Sequence, residues 1–304
     1  MAANENPTVR RRRLGAELRR LRLASGLTST QVAEQLMISQ SKISHLENGR
    51  RVIKPRDVRD RCGLYGVTDP KIVDALMRQA RESGRHGWWV AFGEVPYAVY
   101  IGLETGASSI HSYESMVVPG LLQTPAYAAA VIAETIPLAT PEQRAVRLRL
   151  RLRRQHRAHH PARAFRLWAV LDESVLRRVV GGPDVMCEQL EHLNRLSTQP
   201  HFTVQVLPYE AGAHPGISGQ FSILTFADAP GKGTVYLERF TSDLYLEKRS
   251  DVDHYSVMYE HLQAKALDPE STRQLITHAG RSHARASDAS SHQLRLLGHQ
   301  RAEA

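Results

Sequence analysis

The first repeating pattern begins at residue 14. In RRRLGAELRRLRLASG, Leu14, Leu18 and Leu21 fall at i, i+4 and i+7, the spacing of one helix face, with arginine on the other faces and Gly26 as the stop. Thr28 followed three residues later by Gln31 has the form of a capping box, after which Val32, Ala33 and Leu36 share a face. Met37-Ile38 is a very short link to Ser39, which reads as the N-cap of the next helix. Ile43 and Leu46 form the inner face of that helix, and Gly49 stands where a left-handed C-cap residue belongs. Helical spacing over about 56–65 and 70–83 completes five helices. SGRHGWW (83–89) reads as a linker, with Trp88 and Trp89 expected to pack on the second domain.

Beyond the linker the period changes. SIHSYESMVV (109–118), AFRLWAVLD (164–172), HFTVQVLP (201–208), GQFSILTF (219–226) and GTVYLERF (233–240) have strand character. Helical stretches lie between and after them: one from Thr124 with Pro125 at its first position, then 141–158, 183–197 and 251–266. Strands that alternate with helices and then run consecutively predict a mixed sheet with an antiparallel end. The expected fold is an all-α five-helix N-terminal domain followed by a mixed α/β (α+β) C-terminal domain. Its expected boundaries are a disordered 1–9, the helical domain 10–84, a linker 85–94, the α/β domain 95–278 and a polar, unpatterned, disordered tail 279–304.

Charge sharpens this division. The net charge of +9 lies entirely in residues 1–85, which hold 18 Lys+Arg against 9 Asp+Glu, whereas residues 86–304 hold 22 of each. A basic module joined to a neutral one is the footprint of a chain that brings one domain to a polyanion. With no apolar run of membrane length and no secretory signal, the default location is the cytoplasm, at the nucleoid, with no membrane partner. Cys62 and Cys187 lie far apart without metal-ligand spacing, so two buried thiols are expected, with no metal and no cofactor.

Two helices joined by a three-residue link, the second short and polar outside, form a helix-turn-helix. The second helix of such a pair presents its N-terminal side chains to base edges in the major groove. With Ile43 and Leu46 inside, Gln40, Ser41, Ser44 and His45 point outward and Lys42 sits at the flank. Gln40 suits a bidentate pair with adenine.

The stretch LRRLRLASGLTSTQVAEQLMISQSKISHLENGR resembles the xenobiotic-response-element, or Cro/C1-type, helix-turn-helix repressors over roughly residues 10–65. The resemblance implies base reading by Gln40, Ser41 and His45. It implies backbone contacts from the start of the first helix of the pair (Ser29, Thr30) and from the stretch after the second (Arg50, Arg51), and an ion pair between Arg22 and Glu47. Where the family commonly carries a phosphate-clamping Gln, this chain has Ser29, with Gln31 two positions later.

SYESMVVPGLLQTPAYAAAVI, LWAVLDESVLRRVVGGPDVMCEQLEHL, VQVLPYEAGAHPGISGQFSILTF and VYLE resemble the domain of unknown function 5753 over about residues 95–275. That implies an actinobacterial regulator often encoded beside a small protein partner. Glu114, Asp172, Glu173, His214 and Glu238 lie near predicted strand ends, and Glu114, Glu173, His214 and Glu238 are the candidate pocket residues. There is no HExxH, GxSxG, P-loop or GxGxxG, so no enzyme is expected. RAVRLRLRLRRQHR (144–157), with seven arginines and no acid, reads as a basic helix that meets DNA flanks or, preferably, acids of its own domain and a partner subunit. The expected function is a sequence-specific DNA-binding transcriptional regulator. It acts as a homodimer on double-stranded DNA, and its second domain senses a small molecule or protein partner. The alternative is an antitoxin-like protein that sequesters a small partner and autoregulates.

Overall fold

The structure is a computed structural model that describes residues 7–302 apart from 50, 85–86, 94, 96, 161–163, 228–232 and 240–241, and beyond residue 288 the backbone alone. It divides into two compact units, Met1–Gly106 and Ala107–Ala304.

The first unit holds helices α1 (Pro7–Ala24), α2 (Ser29–Gln35), α3 (Gln40–Glu47), α4 (Pro55–Leu64), α5 (Pro70–Ser83) and α6 (Ala98–Gly106). The five helices expected from periodicity are α1–α5. One cluster gathers Leu14, Leu18, Leu46, Ile53, Val58, Cys62, Leu76 and Ala80, and a second gathers Val32, Ala33, Ile43 and Tyr65.

Two boundaries of the first unit differ from the expectation. Helix α1 starts at Pro7, not residue 10, because Thr8 and Val9 are buried. The rest of the stretch expected to be disordered, 1–6, lies outside the described residues. Helix α6 lies in the first unit, where it packs on α1, so the division falls after Gly106 and not across 85–94. Trp88 and Trp89 belong to that unit too, and Trp88 Nε1 donates to Thr105 Oγ1 of α6 at 3.3 Å. These tryptophans belong to a short 3-10 turn, Trp88–Phe92, in a stretch whose glycines mimic a linker.

The second unit runs β1 (Ser109–Glu114), α7 (Pro125–Thr135), α8 (Pro141–Ala158), β2 (Arg166–Asp172), α9 (Ser174–Arg177), α10 (Pro183–Leu196) and β3 (Phe202–Leu207). It continues with β4 (Phe221–Thr225), β5 (Gly233–Leu237), β6 (Leu244–Leu246), α11 (Arg249–Lys265) and α12 (Pro269–Ala302). The sheet order is β3-β2-β1-β4-β5-β6. The pairs β1–β2 and β2–β3 are parallel, while β1–β4, β4–β5 and β5–β6 are antiparallel, the mixed sheet with an antiparallel end that the pattern predicts.

Strand alternation sorts the side chains. Tyr113, Val170, Leu207, Phe221, Ile223, Val235 and Leu237 form one face and bury themselves against Tyr259 and Leu262 of α11. The intervening Ile110, Ala169, Leu171, Val204 and Val206 are buried as well, as parallel strands covered on both faces require.

The edge strand β3 is not left open. Leu267 N–H donates to Val206 O at 2.8 Å, and Val206 N–H donates to Thr272 Oγ1 at 3.1 Å. Residues 279 onward, expected to be disordered, continue α12 as helix. Thr272, Ile276, Ala279 and His283 recur at spacings of three and four and are buried, and His283 Nε2 bonds Leu176 O at 2.8 Å. The stripe escapes a periodicity reading because Thr, Ala and His carry most of it. Strand β6 was also unforeseen, since three residues show no alternation. Cys62 is buried as expected, whereas Cys187 is only half-buried.

Helix α1 crosses α3 at Gly15, where an added Cβ would meet the Glu47 carbonyl oxygen at 2.5 Å. Gly15→Ala is therefore expected to lower the stability of the first unit by about 1–3 kcal/mol, the range of overpacking. Chemical denaturation of the full chain, with hydrogen exchange in α1–α5 as the local readout, checks this; unchanged protection would show that the helices part freely.

Candidate nucleic-acid interface

Helix α2 opens on a complete capping box: Thr28 N–H donates to Gln31 Oε1 at 2.9 Å, and Gln31 N–H donates to Thr28 Oγ1 at 3.2 Å. The turn after α2 closes with Ile38 N–H on Ala33 O at 2.9 Å and places Met37 at φ +52°, a left-handed position that usually selects glycine. Ser39 then caps α3, accepting Lys42 N–H at 3.3 Å, and Gly49 at φ +65° ends the segment. An added Cβ on Gly49 would meet Arg12 Cα at 2.7 Å, so the exit from α3 also lies hard against α1.

These caps fix the helix's rotation. Ile43 and Leu46 are buried; Gln40, Ser41 and Ser44 are exposed, while Lys42 and His45 are half-buried at the flanks. Gln40 Nε2 donates one proton to Ser29 Oγ at 3.1 Å, tying the N-terminus of α3 to that of α2. The other amide proton and Oε1 remain for a bidentate base contact. Asn48 Nδ2 donates to Ser44 Oγ at 3.3 Å, and the Ser39 and Ser41 hydroxyls pair at 3.0 Å. Thr30 and Arg51 are exposed and Ser29 half-buried; Arg50 lies outside the described residues. The positioning role of Asn48 was missed, although i+4 spacing from Ser44 is a signal for it.

The pair joining α1 to α3 is bidentate. Arg22 Nε donates to Glu47 Oε1 at 2.6 Å and Nη2 to Oε2 at 2.9 Å, while Nη1 reaches Leu27 O at 2.8 Å. Both side chains are 8% exposed. The Glu47 hydrogen bonds raise the Arg22 pKa against the opposing effect of burial. Burial likewise pushes the neighbouring Tyr65 phenol up to about 12.

In the second unit, the four candidate pocket residues do not converge. Asp172 Oδ1 accepts Ser174 N–H at 2.9 Å; its Oδ2 accepts Tyr113 OH at 3.5 Å and lies 3.8 Å from His214 Nε2. His214 Nδ1 is buried without a hydrogen-bond partner. Glu173 is committed elsewhere, its Oε1 held by Arg177 Nε and Nη2 at 3.0 and 2.8 Å and its Oε2 by Tyr209 N–H at 3.1 Å.

Glu114 directly follows Tyr113, and Glu238 directly follows Leu237, so alternation puts both carboxylates on the face opposite His214. Desolvation first, and the Glu238 carboxylate second, push the Glu114 carboxyl up to about 8. Tyr113 was not foreseen as a site residue, because its place on the face of Asp172 follows from the β1–β2 register and not from SIHSYE itself.

A family model for the domain of unknown function DUF5753 matches residues 97–278, more than half of the chain. The chain belongs to the DUF5753 family. A helix-turn-helix domain model matches residues 13–76, which supports a DNA-binding regulator with α1–α5 as the reader. No curated protein and no solved structure matches the chain. In this DUF5753 protein, no helix among the described residues is long and apolar enough to cross a membrane. Its DUF5753 segment begins at residue 97, just ahead of α6, so the family boundary and the structural division after Gly106 do not coincide.

Two outcomes are expected. Glu47→Ala leaves Arg22 buried without its counter-charge and should cost the first unit about 3 kcal/mol in a urea unfolding experiment; a loss under about 1 kcal/mol would mean that the pair is effectively solvated. For Glu114, the folded pKa lies above the unfolded one, so its protonated form favours the native state. Stability of the second unit should fall as pH rises between about 4.5 and 8, and Glu114→Gln should flatten that dependence. Melting temperatures across this window provide the check.

Proposed function

We propose that this chain is a sequence-specific transcriptional regulator that lays α3 in the major groove, acts as a homodimer, and uses its DUF5753 domain to respond to a small molecule or partner protein. The observation that carries the reading is the end of α3: Gln40, Ser41 and Ser44 exposed together, with Gln40 steadied by Ser29 across the turn. That end sits in the segment 1–85, which holds all of the chain's excess positive charge. Arg51, Thr30 and Lys42 supply phosphate contacts around it.

The reach of one helix is the reason for a homodimer. A single recognition helix spans a few base pairs, and two of them about 34 Å apart read a two-fold site. In the DUF5753 domain, Glu173 fixes its own helix and the loop at Tyr209, which supports a structural role for that carboxylate.

Binding to a duplex selected from a random library tests the reading. Gln40→Ala is expected to lower affinity for the selected duplex by about 1–3 kcal/mol and leave random DNA nearly unaffected. Equal losses on both would remove Gln40 from base reading. Arg51→Ala should weaken both and lower the salt slope by about 1.

A further inference from the structure

Between Glu142 and Asp172 the chain carries nine arginines and no acid. Helix α8 takes up most of this stretch, and its own residues anchor it. Leu150, Arg154 and Ala158 are buried. Arg151 Nη1 donates to Gln123 Oε1 at 2.6 Å, and Gln155 Nε2 donates to the carbonyls of Gly120 and Gln123, each at 2.8 Å. From residue 145 on, the exposed positions of the helix are Ala145, Arg149, Arg153 and His156. The last three stand at i, i+4 and i+7, one stripe along the outer face. Arg149 and Arg153 are one turn apart, about 6 Å along the axis. Among the described residues, neither forms an ion pair. The helix's one acid, Glu142, lies in its first turn, about 10 Å before Arg149.

We infer that this outer face of α8 is a second DNA contact, in which Arg149 and Arg153 bind backbone phosphates outside the bases read by α3. The inference rests on the DNA-binding reading above. The composition of the face selects a polyanion over a protein surface. Protein interfaces centre on desolvated apolar or aromatic anchors, and the stripe exposes nothing apolar larger than Ala145. Phosphate contacts need only donors and positive charge, and the guanidinium fork pairs with phosphate oxygens in a bidentate way. DNA is also the polyanion that the same chain holds through its reader. A weak cationic stripe tethered to that reader meets the duplex at high effective concentration, a benefit that an acidic protein free in solution does not receive.

The full chain and its Arg149→Ala/Arg153→Ala variant, titrated by fluorescence anisotropy against a random-sequence duplex of about 40 base pairs over a range of KCl, give the test. Two lost phosphate contacts should reduce the slope of log affinity against log salt by about 2 and the affinity near 0.1 M salt by roughly 10- to 100-fold. The preference for a selected over a random duplex should not change. Arg149→Lys/Arg153→Lys should restore most of the slope, and the melting temperature of the alanine variant should match that of the parent.

An unaltered slope in the alanine variant, in an assay where Arg51→Ala lowers it, overturns the second contact and leaves the reader's role standing. A parent chain that binds no DNA overturns both. Unaltered DNA binding in Arg149→Glu/Arg153→Glu, together with loss of co-elution with an acidic protein, assigns the stripe to a protein partner and likewise overturns the inference.

Discussion

Everything that the reader presents outward is referred to one buried contact, the fork of Arg22 on Glu47. It spans 25 positions of sequence, closes α1 onto the last residue of α3, and sends its third nitrogen to the Leu27 carbonyl just ahead of α2. One guanidinium thus holds all three helices of the motif at a common point. The close approach of α1 to α3 at Gly15 and Gly49 leaves little room for either helix to roll. A bidentate ionic clamp fixes angle as well as distance. The polar tip of α3 is consequently displayed on a rigid base.

The second domain is organised by a different constraint, the alternation of side chains about a sheet buried on both faces. It sends Tyr113 and Asp172 toward His214 and sends Glu114 and Glu238 to the other side. The carboxyl ends of parallel strands are where open α/β sheets gather polar groups. Here that edge is divided into two small polar sets, one built on Asp172 and one on Glu114, with different electrostatic characters. The first accepts hydrogen bonds from Ser174 and Tyr113. In the second, desolvation and the neighbouring Glu238 raise the pKa of the Glu114 carboxyl.

Much of this was legible in the sequence, and the reasons are local. The caps at Thr28, Ser39 and Thr124, the prolines at 125, 141 and 183, and the positions of Ile43 and Leu46 are short-range rules, and the observed elements obey them closely. What escaped depends on residues far apart in the chain. α6 joins the first unit because of its packing on α1, more than 70 residues earlier. α12 is helical where its composition reads as polar and unpatterned, because Thr272, Ala279 and His283 fill its buried stripe in place of large aliphatic side chains. The candidate pocket residues were grouped by proximity to strand ends, which says nothing about which face a residue takes or where the loop carrying His214 packs.

The start of α12 has one more effect. With Leu267 just before it donating and Thr272 accepting, it occupies the N–H and C=O of Val206 on the edge strand β3. At the opposite end the sheet stops at β6, a strand of three residues. The sheet is therefore partly covered at one margin and foreshortened at the other, which leaves little unpaired backbone for a further strand to join.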